Sequence, residues 1–426
     1  MTSPPLEHDR CTALRAVWPG FVDALAATWS AKGAAAVPTP PAPGWQLRGV
    51  WPPAARLVAI GDLHGDLGKA RAALRTAAVL DDKDSWCGGT SVVVQVGDIL
   101  DRGDDEVAIF YLLHRLQGEA LRAGGRLHVM NGNHESMNVV AAQTPHGRFR
   151  YATPGGLETY QRWADTQRFA AGLKLRCGVQ EHTYLSAAGS TAAEVEPAGS
   201  ARAQALCSTC PFARLFLHGK PVALQVGSTL FTHGGWVPEH AGTGIDAVNA
   251  AADAWMRGHH HAGSPSSAGA TSSPPLPPVL GGSRAVVWAR GHGWPNPAKC
   301  DCGDLAAALA ATPSGPARVV VGHTIQQGGI NAACGGAAIR VDVGMSAGCG
   351  DGTPQVLEIL DDGRAGIYVL SHSPQGVIRT RVPTAEAAFA ALKAKKEGAA
   401  AAAHTVDVGG GAQQTQTAAH ASAPNA

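Results

Sequence analysis

An α/β fold is expected for this chain on three observations. Short apolar or β-branched runs recur along it, and stretches with helical spacing separate several of them. Five of the runs end in a glycine-containing loop, and these loops carry Asp62 and His64, Asp98 and Asp101, Asn133 and His134, His233, and His323. Parallel or mixed strands in one sheet would bring such loop ends to one edge, where the sites of α/β proteins lie. The pattern centres on Ser91–Gly103, S-V-V-V-Q-V-G-D-I-L-D-R-G, where a valine-rich strand opens onto two carboxylates and a guanidinium. A metal would satisfy the carboxylates and a bound phosphate would satisfy the arginine.

Residues 1–54 read as an N-terminal helix, with Leu14, Val17, Phe21, Val22 and Leu25 along one face, followed by an Ala/Pro linker. A catalytic domain is expected over residues 55–372. It opens with a strand, Leu57–Ile60, that leads into Gly61-Asp62-Leu63-His64, and a helix through Leu67–Leu80 follows. The central valine strand precedes a second helix, Glu106–Ala123, and the strand Leu127–Met130 ends in Asn131-Gly132-Asn133-His134-Glu135. Residues 140–215 mix helix and loop, an insertion that caps or borders the site. Val222–Val226 and Thr229–Thr232 form a hairpin about Gly227-Ser228 that runs into His233. Residues 262–283 are Ser/Pro/Gly-rich and read as a flexible loop. Val286–Trp288 leads to Arg290, and the strand Val319–Val321 leads to Gly322-His323-Thr324. Further strands are expected at Ala338–Val343, Val356–Leu360 and Gly366–Leu370. A C-terminal helix over 373–395 precedes a tail, 396–426, whose Ala/Gly/Gln/Thr composition predicts disorder.

Bulk composition narrows the partners. Among 426 residues, 34 Lys and Arg face 33 Asp and Glu, a net charge of +1 that advertises neither a nucleic acid nor a membrane surface. No apolar run reaches the roughly 18 residues of a membrane-spanning helix. The opening M-T-S-P-P-L-E-H-D-R lacks the layout of a secretory or transit signal, so a cytoplasmic location is expected. Nine cysteines are generous for that compartment, and the mitochondrial intermembrane space is the alternative.

Asp62, His64, Asp98, Asn133, His233 and His323 are oxygen and nitrogen ligands suited to Mn, Fe or Zn more than to Ca or Mg. Six are too many for one open catalytic metal and about right for two divalent metal ions bridged by Asp98, with Mn the ion expected to serve in vitro. Two such ions lower the pKa of water and clamp a phosphate for in-line attack. Arg102 and Arg290 would grip phosphate oxygens, His134 would protonate the leaving oxygen, and Asp101 would orient His134. The set describes a hydrolytic phosphomonoester site.

The motifs G-D-L-H-G-D, G-D-I-L-D-R-G, N-G-N-H-E, H-G-G and V-G-H-T, in this order, resemble the phosphoprotein phosphatase family of dinuclear metallophosphoesterases. R-L-V-A-I-G-D-L-H-G-D-L, F-R-Y-A-T, S-R-A-V-V-W-A-R, K-C-D-C and I-R-V-D-V-G-M-S narrow the similarity to its Shewanella-like branch, over about Arg56 to Leu370. The resemblance implies a four-layer α/β/β/α sandwich. It implies a first metal held by Asp62, His64 and Asp98, and a second held by Asp98, Asn133, His233 and His323. Arg102 and Arg290 would bind phosphate, and His134 with Asp101 would form the acid pair. Asn131 stands where the eukaryotic Ser/Thr enzymes carry arginine, and the branch is associated with phosphotyrosine in its eukaryotic members.

A metal-dependent protein phosphatase acting on phosphoprotein substrates is therefore expected, with room for a regulatory partner. Two alternatives remain: a hydrolase of dinucleoside polyphosphates or other small phosphate esters, and a catalytically idle scaffold for a redox or kinase partner. The His259-His260-His261 triplet is expected to be solvated loop. Cys207-Ser208-Thr209-Cys210 and Cys300-Asp301-Cys302 resemble redox or zinc half-sites, but reduced thiols are the expectation for the cytoplasm.

Overall fold

A computed structural model describes residues 48–144, 147–177, 200–259 and 275–408. The valine-rich and aliphatic runs fold as strands buried on both faces, which explains why their apolar character is continuous and not alternating. One six-stranded sheet contains β2 (Arg56–Ile60), β3 (Val92–Gln95), β4 (Arg126–Val129), β10 (Gln355–Leu360), β11 (Gly366–Ser373) and β12 (Gly376–Arg381), in the order β12-β11-β10-β2-β3-β4. The other contains β1 (Val50–Trp51), β5 (Ala223–Val226), β6 (Thr229–Thr232), β7 (Arg318–Val321), β8 (Asn331–Ala333) and β9 (Ala338–Arg340), in the order β1-β5-β6-β7-β9-β8. Glu106–Arg122 packs on β4 and Leu67–Thr76 on β10 and β11, while Ile245–Met256 packs on β5. The result is the four-layer α/β/β/α sandwich, with one continuous apolar core.

The ligand-bearing strands do not lie in one sheet, as the residue pattern alone suggested. β2, β3 and β4 belong to one sheet, β6 and β7 to the other, and the site forms where the two sheets' edges meet. Parallel registers align the ends within each sheet: Ile60 pairs with Gln95 and Gln95 with Val129, while Thr232 pairs with Val321 and Val321 with Arg340. Each strand therefore releases its loop at the same level.

Most of the described part of 140–215 is helical, and its helices are here called the cap. Pro154–Cys177, Ser200–Leu206 and Pro211–Phe216 gather around Asn133–Gln143 and Glu106–Arg122. Tyr160, Trp163, Phe212 and Phe216 interlock with Phe110 and Tyr111 by edge and tilted ring contacts.

Several boundaries differ from expectation. Val50–Trp51, inside the expected linker, pairs with β5. The helix expected over 373–395 is preceded by β12, an edge strand, and runs over Ala385–Val408, into the stretch expected to be disordered. The N-terminal helix, most of the 262–283 loop, and residues 409–426 lie outside the described residues. No helix among the described residues is long and apolar enough to cross a membrane.

Candidate metal centre and phosphate site

Sharp turns place the ligands. His64, Asp98, Asp101, Arg102 and His323 all adopt positive φ (42°, 57°, 72°, 66° and 64°), a costly conformation for residues with a Cβ. Gly322, one residue before His323, has no room for a Cβ because the Asp62 carboxylate lies against it. Five strained non-glycine residues at one site indicate that their side chains, not backbone ease, dictated the choice.

The imidazoles are held in defined tautomers. His64 Nδ1 donates to the Leu100 carbonyl at 2.9 Å, and His233 Nδ1 donates to the Val96 carbonyl at 3.0 Å. Each Nε2 lone pair then faces Asp98 Oδ2, at 3.7 Å from His64 and 3.1 Å from His233. Asn133 Oδ1 stands 2.9 Å from His233 Nε2, and His323 Nε2 is buried without any hydrogen-bond partner. Ligand atoms of His64, Asp98 and His134 lie within 4.8 Å of one another, as do those of Asp98, His233 and His323. Asp98 is common to both groups. Asp62 is not in the first group; its carboxylate accepts from the His323 amide at 3.0 Å, and His134 takes its place there.

This donor set fits divalent cations. Electron-rich atoms converge with too few protons between them, and such an arrangement needs positive charge. The titration behaviour agrees. Burial, then the carboxylates of Asp342 and Asp98, push Asp62 well above the usual carboxylate range. Burial works against ionisation of Asp98 too, but His233 and His134 hold it well below that range. Burial pushes His64 down to about 4 and His323 down to about 2, so both are neutral and able to ligate. Burial also opposes charge on His233, yet the Asp98 carboxylate beside it raises its pKa above the ordinary value.

The phosphate-side residues surround these groups. Arg102 places Nη1 3.3 Å from His64 Nε2 and Nη2 3.3 Å from His134 Nε2, and Nη1 also reaches Cys349 Sγ at 3.2 Å. Arg290 Nη1 donates to Thr324 Oγ1 at 2.9 Å, and its half-buried guanidinium feels Asp342, Asp62 and Asp98. His134 Nδ1 lies 2.6 Å from Asp101 Oδ2. Burial opposes protonation of His134, but Asp98 and Asp101 raise its pKa above the ordinary value.

Several participants escaped the sequence reading. Glu135 is fully buried and accepts from the amides of Gly132, Asp98, Ile99 and Leu100 at 2.7–3.2 Å, tying two ligand loops together. Asp342, in the V-D-V-G segment after β9, adds another buried carboxylate, whose pKa burial raises to about 6. Arg202 arrives from the cap and pairs with Asp101. Tyr151, 39% exposed, lies 5.3 Å from the His134 ring and 5.6 Å from the Arg102 guanidinium. Asn131 is a tether, its side chain donating to the Leu217 carbonyl at 2.8 Å.

The cysteine expectation needs correction. Cys207–Cys210 and Cys302–Cys334 are disulfides, because their Cα atoms stand 5.1 and 5.2 Å apart, within bridging range. Cys300 is a free thiol, so Cys300-Asp301-Cys302 is not a half-site with Cys207 and Cys210. His259 is exposed, and His260 and His261 lie outside the described residues.

The sequence model of the calcineurin-like phosphoesterase family matches residues 55–327. Shewanella-like protein phosphatase 2 of Arabidopsis thaliana is 40% identical over 325 residues, 75% of this chain and 78% of that protein. Shewanella-like protein phosphatase 1 of Plasmodium berghei is 34% identical over 105 residues, 25% of this chain and 27% of that one. The crystal structure of a cold-active protein-tyrosine phosphatase from a psychrophilic Shewanella superposes with a TM-score of 0.52 at 18% identity, covering 78% and 82% of the two chains. With its sandwich, its shared aspartate and these relatives, the chain belongs to the Shewanella-like protein phosphatase family of calcineurin-like phosphoesterases, which are metal-dependent phosphoric monoester hydrolases.

Proposed function

We propose that this protein removes phosphate from phosphorylated protein side chains, with Asp62, His64, Asp98, Asn133, His233 and His323 holding two divalent cations, manganese being the one to supply in vitro. Asp98, with His64 gathered beside it in one group of ligand atoms and His233 and His323 in the other, is the observation that carries this reading. Bound there, the cations supply Lewis acidity and lower the pKa of water. Arg102 and Arg290 flank the ligand groups, and their forked donors suit the oxygens of a phosphomonoester. With Asp101 accepting from Nδ1, His134 presents Nε2 as the donor to the leaving oxygen. The exposed Tyr151 ring beside His134 favours a flat aromatic leaving group, and hence phosphotyrosine over phosphoserine.

The two disulfides favour an oxidising compartment such as the mitochondrial intermembrane space over the cytoplasm. Phosphate release by metal-stripped and then Mn-reconstituted protein tests the reading. A phosphotyrosine peptide, a phosphothreonine peptide and diadenosine tetraphosphate are offered in parallel. Chelation-sensitive turnover of the phosphotyrosine peptide above the phosphothreonine peptide is expected. Turnover of the dinucleotide alone would overturn the protein-substrate reading.

A further inference from the structure

The cap sends one side chain into the site's interior. Arg202, on Ser200–Leu206, is fully buried, and each of its three nitrogens is engaged. Nη2 donates to Asp101 Oδ1 at 2.9 Å and to Glu106 Oε1 at 3.0 Å; Nη1 donates to Glu106 Oε2 at 2.6 Å; Nε donates to Asn138 Oδ1 at 3.0 Å. Asn138 Nδ2 in turn donates to Asp101 Oδ2 at 2.8 Å, the oxygen that also accepts from His134 Nδ1. Glu106 Oε1 accepts the Asp101 amide at 2.5 Å. The guanidinium lies over the Tyr160 ring at 4.9 Å and the Phe149 ring at 5.3 Å, which excludes water from it.

A buried ion pair is a poor way to gain stability, since well-packed apolar residues often do as well. What such a pair does supply is geometry. Asp101 sits in a left-handed turn, φ 72°, and would relax away from His134 unless both its carboxylate and its amide were held.

We propose that Arg202 is a positioning residue for proton donation in catalysis: with Glu106 and Asn138 it fixes both oxygens of Asp101, so that Oδ2 holds His134 Nδ1 and Nε2 is aimed at the leaving oxygen. The inference rests on the reading of His134 as the general acid. As water's oxygen bonds to phosphorus, the P–O bond to the leaving group breaks, its electron pair stays on the leaving oxygen, and the proton moves to that oxygen from His134 Nε2. Arg202 touches no substrate and acts only through Asp101 and His134.

Leaving groups separate this role from a structural one. The Mn-loaded full chain is assayed with a phosphotyrosine peptide, whose phenolate gains from protonation, and with 2,4-dinitrophenyl phosphate, whose leaving group departs as a stable anion. His134→Asn should lose about a hundredfold in kcat on the peptide and little on the dinitrophenyl ester. Arg202→Met should show the same selectivity, about tenfold on the peptide, and should add nothing further in the His134→Asn background. Equal loss on both esters, or a full additional loss in that background, would make Arg202 merely structural and overturn the inference. Indifference of His134→Asn itself to the leaving group would instead remove the general acid on which the inference stands. Asn138→Ala leaves the Arg202–Glu106 pair intact, and it carries the same comparison if circular dichroism finds Arg202→Met unfolded.

Discussion

A neutral imidazole offers one lone pair, and which nitrogen carries it is decided by the carbonyl that the other nitrogen faces. At His64 and His233 that carbonyl belongs to the turn that follows β3, so this one turn supplies Asp98 and also orients two of its neighbours. Asp98→Asn should therefore lose both metals and activity, because it removes the charge both ligand groups share. His134→Asn should keep the metals and lose roughly 10²–10⁴ of kcat. Metal analysis alongside steady-state kinetics checks the pair, and a His134→Asn protein as active as the parent would take His134 out of the mechanism. The candidate ligands were legible in the sequence because each lies in a glycine-containing loop at the end of an apolar run. Arg202 was not, since nothing local distinguishes it from other arginines; its meaning comes from a partner 101 residues away. Asp342 was hidden differently, as one acid in a run that reads as plain strand.

At the scale of elements, the site depends on how Asn133–Gln143 is stitched to the loop after β3. Glu135 does this through four backbone amides that have no other described partner. Glu135→Ala would leave those buried donors unsatisfied and should cost roughly 3 kcal/mol or more of stability, read from urea denaturation of the metal-free protein. A loss under 1 kcal/mol would mean that water replaces the carboxylate. The disulfide Cys302–Cys334 similarly ties the start of Cys302–Ala311 to the β8–β9 turn. Thiol titration of the unfolded chain without reductant should leave Cys207, Cys210, Cys302 and Cys334 unreactive, while Cys87, Cys300 and Cys349 react. Reaction of all seven would restore the expectation of reduced thiols. Core strands were legible because burial on both faces demands continuous apolar runs. β1, β8 and β12 were not: the first two are two and three residues long, and β12 is almost wholly exposed, so none carries a periodic apolar signal.

The whole molecule is two sheets that share one core and meet at a cluster of buried charge, and its stability should respond to whatever neutralises that cluster. Cations that bind the folded state alone stabilise it by mass action, about 2.7 kcal/mol per site at a hundredfold excess over Kd, so chelation should lower Tm. A flat Tm on chelation would argue that the cluster binds no metal. Acid stability has a separate source, away from the centre. His128 packs its ring 5.0 Å from Trp51, and burial, aided by Arg126 and Lys220, lowers its pKa to about 4. Above pH about 6.5 the imidazole is neutral in both folded and unfolded chains and contributes no pH dependence. As pH falls below that, the unfolded chain binds the proton first, so stability is lost from about 6.5 down to about 4 and levels off beneath. Other groups complicate the absolute profile, notably Asp342, whose raised pKa acts in the opposite sense. The comparison with His128→Phe cancels them, because phenylalanine fills the same space and cannot titrate. Relative to that variant, the metal-free parent should lose stability on the order of 3 kcal/mol between pH 6.5 and 4, measured by urea denaturation at each pH. Parallel profiles for the two proteins would show that His128 is hydrated and free to protonate in the folded state.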